Sequence, residues 1–230
     1  MVANFVETLD GVVAIPDVPR SNALIAAESD ADRFVMALLR ACANVILVGS
    51  GTLLASPQGT WRPERAYPPA GDALLELRRA RGLPEQPRVA VVSTGATLDV
   101  SHPVLRRGAL VLTTADAEAG LRASLPTESE VIAVNEGNSV DPAKALELLR
   151  ERGHGVVLSE GGPTVLASLL ASRLVDELFL PLSPLVAGRA SGARLSLVEG
   201  VELLPDLRVG GALRSVRRSG DHLLLRYGLF

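Results

Sequence analysis

The sequence predicts an α/β fold built on a mixed, mainly parallel sheet. Strand-length apolar runs alternate with amphipathic helical stretches through residue 180, which is typical of βαβ units and a parallel sheet. Near the C-terminus two strand-like runs flank Ser219-Gly220-Asp221, so antiparallel edge strands are predicted there. No repeat, low-complexity tract or linker interrupts the pattern, and residues 1–230 are predicted to form a single domain.

Turn, cap and apolar-spacing signals place each element. Residues 2–6 form a first strand that ends before the Asp10-Gly11 turn. Residues 30–43 have helical apolar spacing, with Ser29 or Asp30 available as the cap. Four prolines make residues 55–70 a loop. The remaining predicted strands are 45–48, 89–92, 110–112, 131–134, 156–159, 174–180, 213–217 and 223–229, and the remaining helices are 71–81, 115–121, 141–152 and 163–172.

Composition excludes several classes of protein. A net charge of −3 leaves no electrostatic footprint for nucleic acid, and an aromatic content of 3% offers few platforms for base stacking. The apolar runs are too short to span a membrane. The N-terminus lacks the basic region of a signal peptide, so a cytoplasmic protein is predicted. Cys42 is the only cysteine and the three histidines are scattered, so no metal site is predicted.

The segment after the strand at 156–159 is the most informative. Glu160-Gly161-Gly162 follows at once, and Pro163 is suited to the first position of a helix. A helix N-terminus offers unpaired N–H groups and the positive end of a dipole, which together attract anions. The turn therefore predicts a phosphorylated cofactor or substrate beside the Glu160 carboxylate.

Four such turns fall at the predicted carboxyl ends of strands, where open α/β sheets bind ligands. They are residues 8–11, 49–52, 93–95 and 160–162. Residues 49–51 lack the third glycine of a dinucleotide fingerprint and the lysine of a P-loop, so the glycines could simply make tight turns. Glu160 could equally act only on the helix dipole, and Asp10 could be an ordinary turn residue. No G-x-S-x-G elbow or H-E-x-x-H motif is present, which favours chemistry carried by a cofactor.

The sequence resembles the pyrimidine reductases of riboflavin biosynthesis, a family with the dihydrofolate-reductase fold. Four blocks carry the resemblance, in the family's order: TLDG at 8–11, LRA at 39–41 with ILVGSGT at 46–52, EGGPT at 160–164, and LVDEL at 174–178. The resemblance implies a three-layer α/β/α domain, NADPH as hydride donor and a homodimer. It also implies reduction of the ribosyl group of a phosphorylated aminopyrimidine to a ribityl group.

The resemblance also implies roles for individual residues. Glu160, Thr8 and Asp10 are the catalytic candidates, and Asn4 and Arg20 are the candidates for binding substrate. Ser93 and Thr94 are placed at the adenosine end of the cofactor. The candidates for contacting cofactor phosphates are Gly49, Ser50, Gly51, Thr52, Gly161, Gly162, Pro163 and Thr164.

Two departures from the family pattern leave the substrate open. Asn4 stands where riboflavin-pathway members usually have lysine, and residues 53–58 contain no acid where those members have an Asp-Asp-Pro-type segment. A dihydropterin or dihydrofolate-type reductase and a non-catalytic NADP(H)-binding module are therefore alternatives. No arginine flanks Ser93-Thr94 to hold a 2′-phosphate, and Arg106 and Arg107 are the nearest candidates in the next loop. The apolar run at 174–184 would need a covering partner at a sheet edge, which favours a dimer.

Overall fold

A computed structural model describes residues 1–16, 18, 20–189 and 194–230. The strands within these ranges are β1 (Val2–Asn4), β2 (Val12–Ala14), β3 (Val45–Gly49), β4 (Arg88–Val92), β5 (Leu110–Thr114), β6 (Glu130–Asn135), β7 (Val157–Ser159), β8 (Glu177–Leu182), β9 (Leu195–Ser196), β10 (Gly211–Ser219) and β11 (His222–Leu229). Nine of them form one sheet in the order β10-β11-β8-β1-β7-β3-β4-β5-β6, while β2 pairs with β9.

Helices cover both faces of the large sheet. They are α1 (Ser21–Ile25), α2 (Asp30–Cys42), α3 (Ser50–Ala55), α4 (Pro63–Ala66), α5 (Gly71–Ala80), α6 (Ala115–Ser124), α7 (Pro142–Glu151) and α8 (Pro163–Ala171). The Ser29 hydroxyl accepts a bond from the Asp32 N–H at 3.3 Å, and Asp141 accepts from the Ala143 N–H at 2.9 Å. The predicted caps of α2 and α7 are therefore confirmed.

The predicted sheet is confirmed in both of its parts. The strands β1 and β3 to β8 run parallel, and β11 pairs antiparallel with β8 and with β10. Ser219 and His222 face each other where the hairpin closes. The strand β8 lies between β1 and β11, so the condition on which it would have needed a covering partner is not met. The two edge strands are β6 and β10, and the C-terminal hairpin adds β10 outside β8.

Two hydrophobic clusters lie on opposite faces of the sheet and give the three layers. Val45 and Leu47 of β3 pack into one cluster, with side chains from α7 and α8. Ile46 and Val48 pack into the other, with side chains from α3 and α6. A strand buried on both faces has no polar alternation, which explains the continuous apolar run of β3. Burying each such side chain fully contributes about 1.5–3 kcal/mol.

Several local expectations need correction. The first strand ends at Asn4 and not at residue 6. The backbone from Phe5 to Glu7 still donates hydrogen bonds to carbonyls of β8. The predicted loop at 55–70 contains α4, which starts at Pro63, and a 3₁₀ turn at Pro68–Ala70. Proline is tolerated in a first helical turn, so four prolines did not exclude short helices. The turn at 49–52 is the start of α3, which the sequence pattern did not indicate.

Candidate active site

The carboxyl ends of β1, β7, β3 and β4 lie side by side, because these parallel strands are neighbours in the sheet. The Glu160 N–H donates to the Leu47 carbonyl at 3.0 Å and joins the end of β7 to β3. The Ser50 hydroxyl lies 2.8 Å from that of Thr97, in the loop after β4. The turns at 49–52, 93–95 and 160–162 therefore lie together at the carboxyl ends of the strands, which we call the carboxyl edge.

Close packing accounts for two of the glycines. A Cβ atom on Gly49 would lie 3.0 Å from the Val165 side chain, and one on Gly161 would lie 2.9 Å from it. Both glycines let the β3 and β7 turns approach α8. A Cβ on Gly51 would meet nothing within 4 Å. Gly51 therefore has no packing requirement, and its bare backbone lies open at this edge.

The first turn of α8 presents unpaired N–H groups. In the described chain, the N–H groups of Gly161, Gly162 and Thr164 donate to no protein acceptor, and the first bond of the helix runs from the Leu166 N–H to the Gly162 carbonyl at 3.1 Å. Pro163 has no N–H and occupies the first position. These donors and the helix dipole suit an anionic group.

Glu160 is held by Arg40, which approaches from the last turn of α2. The Arg40 Nε donates to Glu160 Oε1 at 2.9 Å, and its Nη2 donates to Oε2 at 2.6 Å. Only 12% of the Arg40 side chain and 8% of the Glu160 side chain are exposed. A two-pronged contact of this kind fixes the carboxylate plane and balances its charge. The carboxylate is thus a positioned acceptor at the carboxyl edge of the sheet.

Asp32 is a second acid in this region that the sequence did not single out. Burial raises the pKa of its carboxyl group to about 6, opposed by His222 and helped by the nearby Glu160 charge. His222 is itself buried and lies 3.1 Å from the Ala26 carbonyl. In the sequence Asp32 looks like an ordinary first-turn acid of α2, and only the tertiary packing makes it unusual.

Thr8 and Asp10 hold the segment that follows β8. The Thr8 hydroxyl donates to Asp10 at 2.6 Å, and the Asp10 carboxylate accepts from the Ala187 N–H at 3.0 Å and the Gly188 N–H at 2.8 Å. These bonds, that of Thr8 first, lower the pKa of Asp10 to about 2. The contacts give both residues a structural role, and their catalytic assignment stays a prediction.

Asn4 lies on the same sheet face as Glu160. Ala3 pairs with Ser159, and side chains alternate along strands, so the next residue of each strand points to one common face. The Asn4 Oδ1 atom is buried and has no hydrogen-bond partner among the described residues. A buried acceptor without a partner is uncommon, and a bound molecule could supply the donor.

The other predicted residues are spread more widely. Arg20 is exposed, has a left-handed backbone and directly precedes α1. In the described ranges it shares no hydrogen bond with another candidate. Ser93 is buried, and its hydroxyl accepts from the Gly95 N–H at 3.0 Å, whereas Thr94 is exposed. Arg106 and Arg107 precede β5 at its amino end, so the expectation that they approach Ser93-Thr94 is wrong.

Arg78 supports the end of α2 that carries Arg40, and no local sequence pattern indicates this role. Its side chain is fully buried, and its Nη1 donates to the carbonyls of Arg40, Ala41 and Ala43 at 3.0, 3.2 and 2.7 Å. These carbonyls lie at the C-terminal end of α2, where no i+4 N–H donors of the helix remain, and that of Arg40 also accepts from the Ala43 N–H at 3.3 Å. Arg78 therefore fixes the turn that carries Arg40.

A sequence model of the RibD C-terminal domain matches residues 1–220. The chain belongs to the RibD C-terminal domain family. The match confirms the resemblance drawn from the four sequence blocks. The matched range includes the Glu160 turn and the turn after β3.

Relatives and solved structures agree with this membership. The chain is 28% identical over 188 residues to the 2,5-diamino-6-ribosylamino-4(3H)-pyrimidinone 5′-phosphate reductase of Archaeoglobus fulgidus, covering 80% of each chain. It is 29% identical over 238 aligned positions to the protein of the same name from Methanothermobacter thermautotrophicus, covering 99% of this chain and 96% of the relative. The crystal structure of a pyrimidine reductase-like protein from Corynebacterium diphtheriae has the same fold, with a TM-score of 0.79 at 19% identity over 100% of this chain and 91% of that one.

Metal sites and membrane-spanning helices are the remaining features of this RibD-family chain that bear on function. Across the described residues, no group of three His, Cys, Asp or Glu side chains is arranged to hold a metal ion. No helix in the part of the chain that the structure describes is long and apolar enough to cross a membrane.

Proposed function

We propose that this chain is an NADPH-dependent reductase that acts on a phosphorylated ribosylaminopyrimidine. The observation that carries the proposal is the pairing of open N–H donors at the start of α8 with the positioned Glu160 carboxylate beside them. The two relatives named as ribosylaminopyrimidinone phosphate reductases support the choice of substrate class.

The residues at the carboxyl edge fit a dinucleotide phosphate. The N–H groups of Gly161, Gly162 and Thr164 lack protein acceptors in the described chain, and Gly51 leaves room for close approach. Backbone donors at a helix start are suited to phosphate oxygens. When bound, NADPH supplies a hydride. The protein binds the cofactor and holds its reactive atom in a fixed orientation towards the substrate.

The substrate side rests on Asn4, Glu160 and Asp32. The unpartnered Asn4 Oδ1 accepts a hydrogen bond from an N–H or O–H group of the substrate. Glu160, fixed by Arg40, orients a second polar group. Reduction of a ribosylamine also consumes a proton, and Asp32 is a carboxyl group whose pKa lies near neutrality. Asp32 is therefore proposed as the group that supplies this proton.

The departure at Asn4 keeps a smaller heterocycle as a second candidate. An amide in place of the family's usual lysine has no charge to offer a substrate phosphate. A dihydropterin would need hydrogen bonds of the kind that Asn4 can make but no phosphate contact. Parallel turnover assays with the ribosylaminopyrimidine phosphate and with dihydrofolate distinguish the two substrates.

The first test is a fluorescence titration of the purified protein with NADPH and, separately, NADH. Saturable binding that favours NADPH supports the cofactor assignment and leads to the two turnover assays. Binding without oxidation of NADPH by either substrate would indicate a non-catalytic nucleotide-binding module. Failure to bind either nucleotide contradicts the proposal at its first step.

We also propose that the protein is a homodimer, and that β10 is where the second copy binds. Leu213 and Val216 of this edge strand are 53% and 50% exposed. An exposed strand edge with apolar side chains is prone to pair with another chain. Light scattering should give twice the chain mass for the wild type and the single chain mass for Val216→Lys. A monomeric wild type contradicts the proposal.

A further inference from the structure

A cavity of about 480 Å³, the amino-edge cavity, lies at the amino ends of the sheet strands. The candidate active site lies at their carboxyl ends. Asn44 precedes β3, Arg88 begins β4 and Ala109 precedes β5, and all three line the cavity, so it opens at the amino ends of these strands. Gly153 and His154 close it from the end of α7. Its volume is in the range of about 300–1,000 Å³ that small-molecule sites occupy.

Positive charge dominates the lining of this amino-edge cavity. Four arginines and one histidine line it: Arg62, Arg88, Arg107, Arg152 and His154. Within the described residues two carboxylates face these arginines. Glu130 lies 3.8 Å from Arg88 and 2.7 Å from Arg152, and Glu64 lies 3.9 Å from Arg62. Two carboxylates do not balance four guanidinium groups, so the cavity carries excess positive charge.

Arg107 shows the imbalance most clearly. Its Nε donates to the Pro103 carbonyl at 3.2 Å, and no carboxylate lies within 4 Å of it in the described chain. Partial burial, and then the neighbouring Arg62 charge, lower the pKa of its guanidinium group. The pKa of the His154 imidazole is lowered for the same two kinds of reason. Burial lowers it most, and the neighbouring Arg88 and Arg152 charges lower it further. Like charges thus converge where water is partly excluded, and an anion between them relieves the repulsion.

We propose that the amino-edge cavity binds a phosphate-bearing small molecule, with Arg62 and Arg107 as the phosphate contacts. The planar guanidinium fork matches phosphate oxygens better than an ammonium group does. The volume exceeds the needs of a bare phosphate ion, so the ligand class is an organic phosphate such as a sugar phosphate or a nucleotide. The five residues of β4 separate the cavity from the Ser93 turn by roughly 16 Å, so this site is distinct from the candidate active site.

Calorimetric titration with inorganic pyrophosphate at low ionic strength tests the site. The variants are Arg107→Gln and Arg62→Gln, and the matched control is Arg79→Gln, which removes the same charge from an exposed position of α5 away from the cavity. The wild type and the control should bind alike, and each cavity variant should bind at least about tenfold more weakly, as expected for loss of a charge-assisted contact. Pyrophosphate bound at the α8 turn would be unaffected by either cavity variant, so this comparison does not depend on the proposed reductase activity.

Thermal unfolding gives a second readout that does not require a heat signal. Because Arg62 and Arg107 repel each other, removing one should leave the unfolding temperature unchanged or higher without ligand. Pyrophosphate should raise it further for the wild type and the Arg79→Gln control than for the cavity variants, in which only the α8 turn is left to bind it. Equal responses of wild type and cavity variants overturn the proposal, as does the absence of binding up to about 10 mM, a concentration that would fill a millimolar site.

The same titration with ribose 5-phosphate and with AMP tests the organic part of the ligand. Tighter binding of either compound than of inorganic phosphate, lost in Arg107→Gln, supports a metabolite site and separates sugar phosphates from nucleotides. If both bind no better than inorganic phosphate, the cavity recognises the anion alone and the proposed ligand class is wrong.

Discussion

Arg40 and Glu160 are 120 positions apart in the sequence, yet they form a two-pronged ion pair with contacts of 2.9 and 2.6 Å. Arg78 fixes the end of α2 that carries Arg40, and the β7 ladder fixes Glu160. The pair therefore joins a helix on one face of the sheet to the turn that opens α8. Any substitution of Glu160 therefore also acts on this connection between α2 and α8.

Glu160→Gln should lower turnover by about tenfold or more, since the amide keeps the shape of the side chain but loses its charge and one acceptor atom. NADPH affinity should stay within about twofold, because the α8 N–H groups are backbone donors that the substitution leaves in place. Nicotinamide fluorescence and steady-state kinetics measure the two effects separately.

A stability measurement accompanies this variant. Removing one partner of a buried ion pair leaves Arg40 uncompensated and should cost about 3 kcal/mol in the free energy of unfolding. Arg40→Lys keeps the charge but loses the fork, and it should cost less. Normal turnover by a folded Glu160→Gln protein would remove Glu160 from the catalytic assignment.

Asp32 gives a pH signature. Its pKa is raised from 3.8 to about 6, so its protonated form is the one the fold favours. The wild type should therefore lose stability as the pH rises from about 4 to 6 and stay at the lower level above that. Asp32→Asn removes this loss, and it should be more stable than the wild type at pH 7 by on the order of 2–3 kcal/mol and no more stable at pH 4.

Denaturant unfolding across this pH range checks the prediction. The matched control is Asp72→Asn, which removes the same charge from an exposed acid in the first turn of α5. The control should show no gain at pH 7. A pH-independent difference between Asp32→Asn and the wild type would show that the raised pKa does not contribute to stability.

Asp10 should act on the segment after β8. Its carboxylate accepts the N–H groups of Ala187 and Gly188, and its pKa of about 2 keeps it ionised above that pH. Asp10→Asn should speed hydrogen exchange at these two amides by about tenfold, while amides in β3 should exchange as before. Unchanged exchange at both amides would contradict the assignment of Asp10 to loop anchoring.

The fold was predictable where one local signal decided an element. The alternation of β3, β4 and β5 with helices, the caps of α2 and α7, and the C-terminal hairpin all follow from short sequence patterns. Whether residues 174–184 lie at an edge was not predictable, because strand order depends on which surfaces pack together and not on the composition of one strand.

The site was predictable in its backbone and less so in its charges. Glycine and proline at 161–163 mark a turn and a helix start, and the structure has both. Asp32, Arg40 and Arg78 become unusual only through partners far along the chain or through burial. A single sequence without an alignment holds no local signal for such pairs.

Substitution of Gly161 and of Gly51 separates the effect of close packing on stability from the effect of an open backbone on cofactor binding. Gly161→Ala places a Cβ 2.9 Å from the Val165 side chain, so it should destabilise the fold by about 1–3 kcal/mol. Adding Val165→Ala removes the 2.9 Å contact with Cγ1 and leaves the Val165 Cβ at 3.0 Å, so it relieves part of the clash. The double variant should therefore be less destabilised than the sum of the two single ones.

Gly51→Ala is the matched change without a clash, since nothing lies within 4 Å of the new Cβ. Alanine favours the helical backbone of α3 by up to about 1 kcal/mol, so this variant should be as stable as the wild type or more so. If cofactor phosphates approach the Gly51 backbone, the added methyl group should nevertheless weaken NADPH binding severalfold. A stable Gly51→Ala protein with wild-type affinity would show that the β3 turn is open for another reason, and the cofactor would then have to rest on the α8 turn alone.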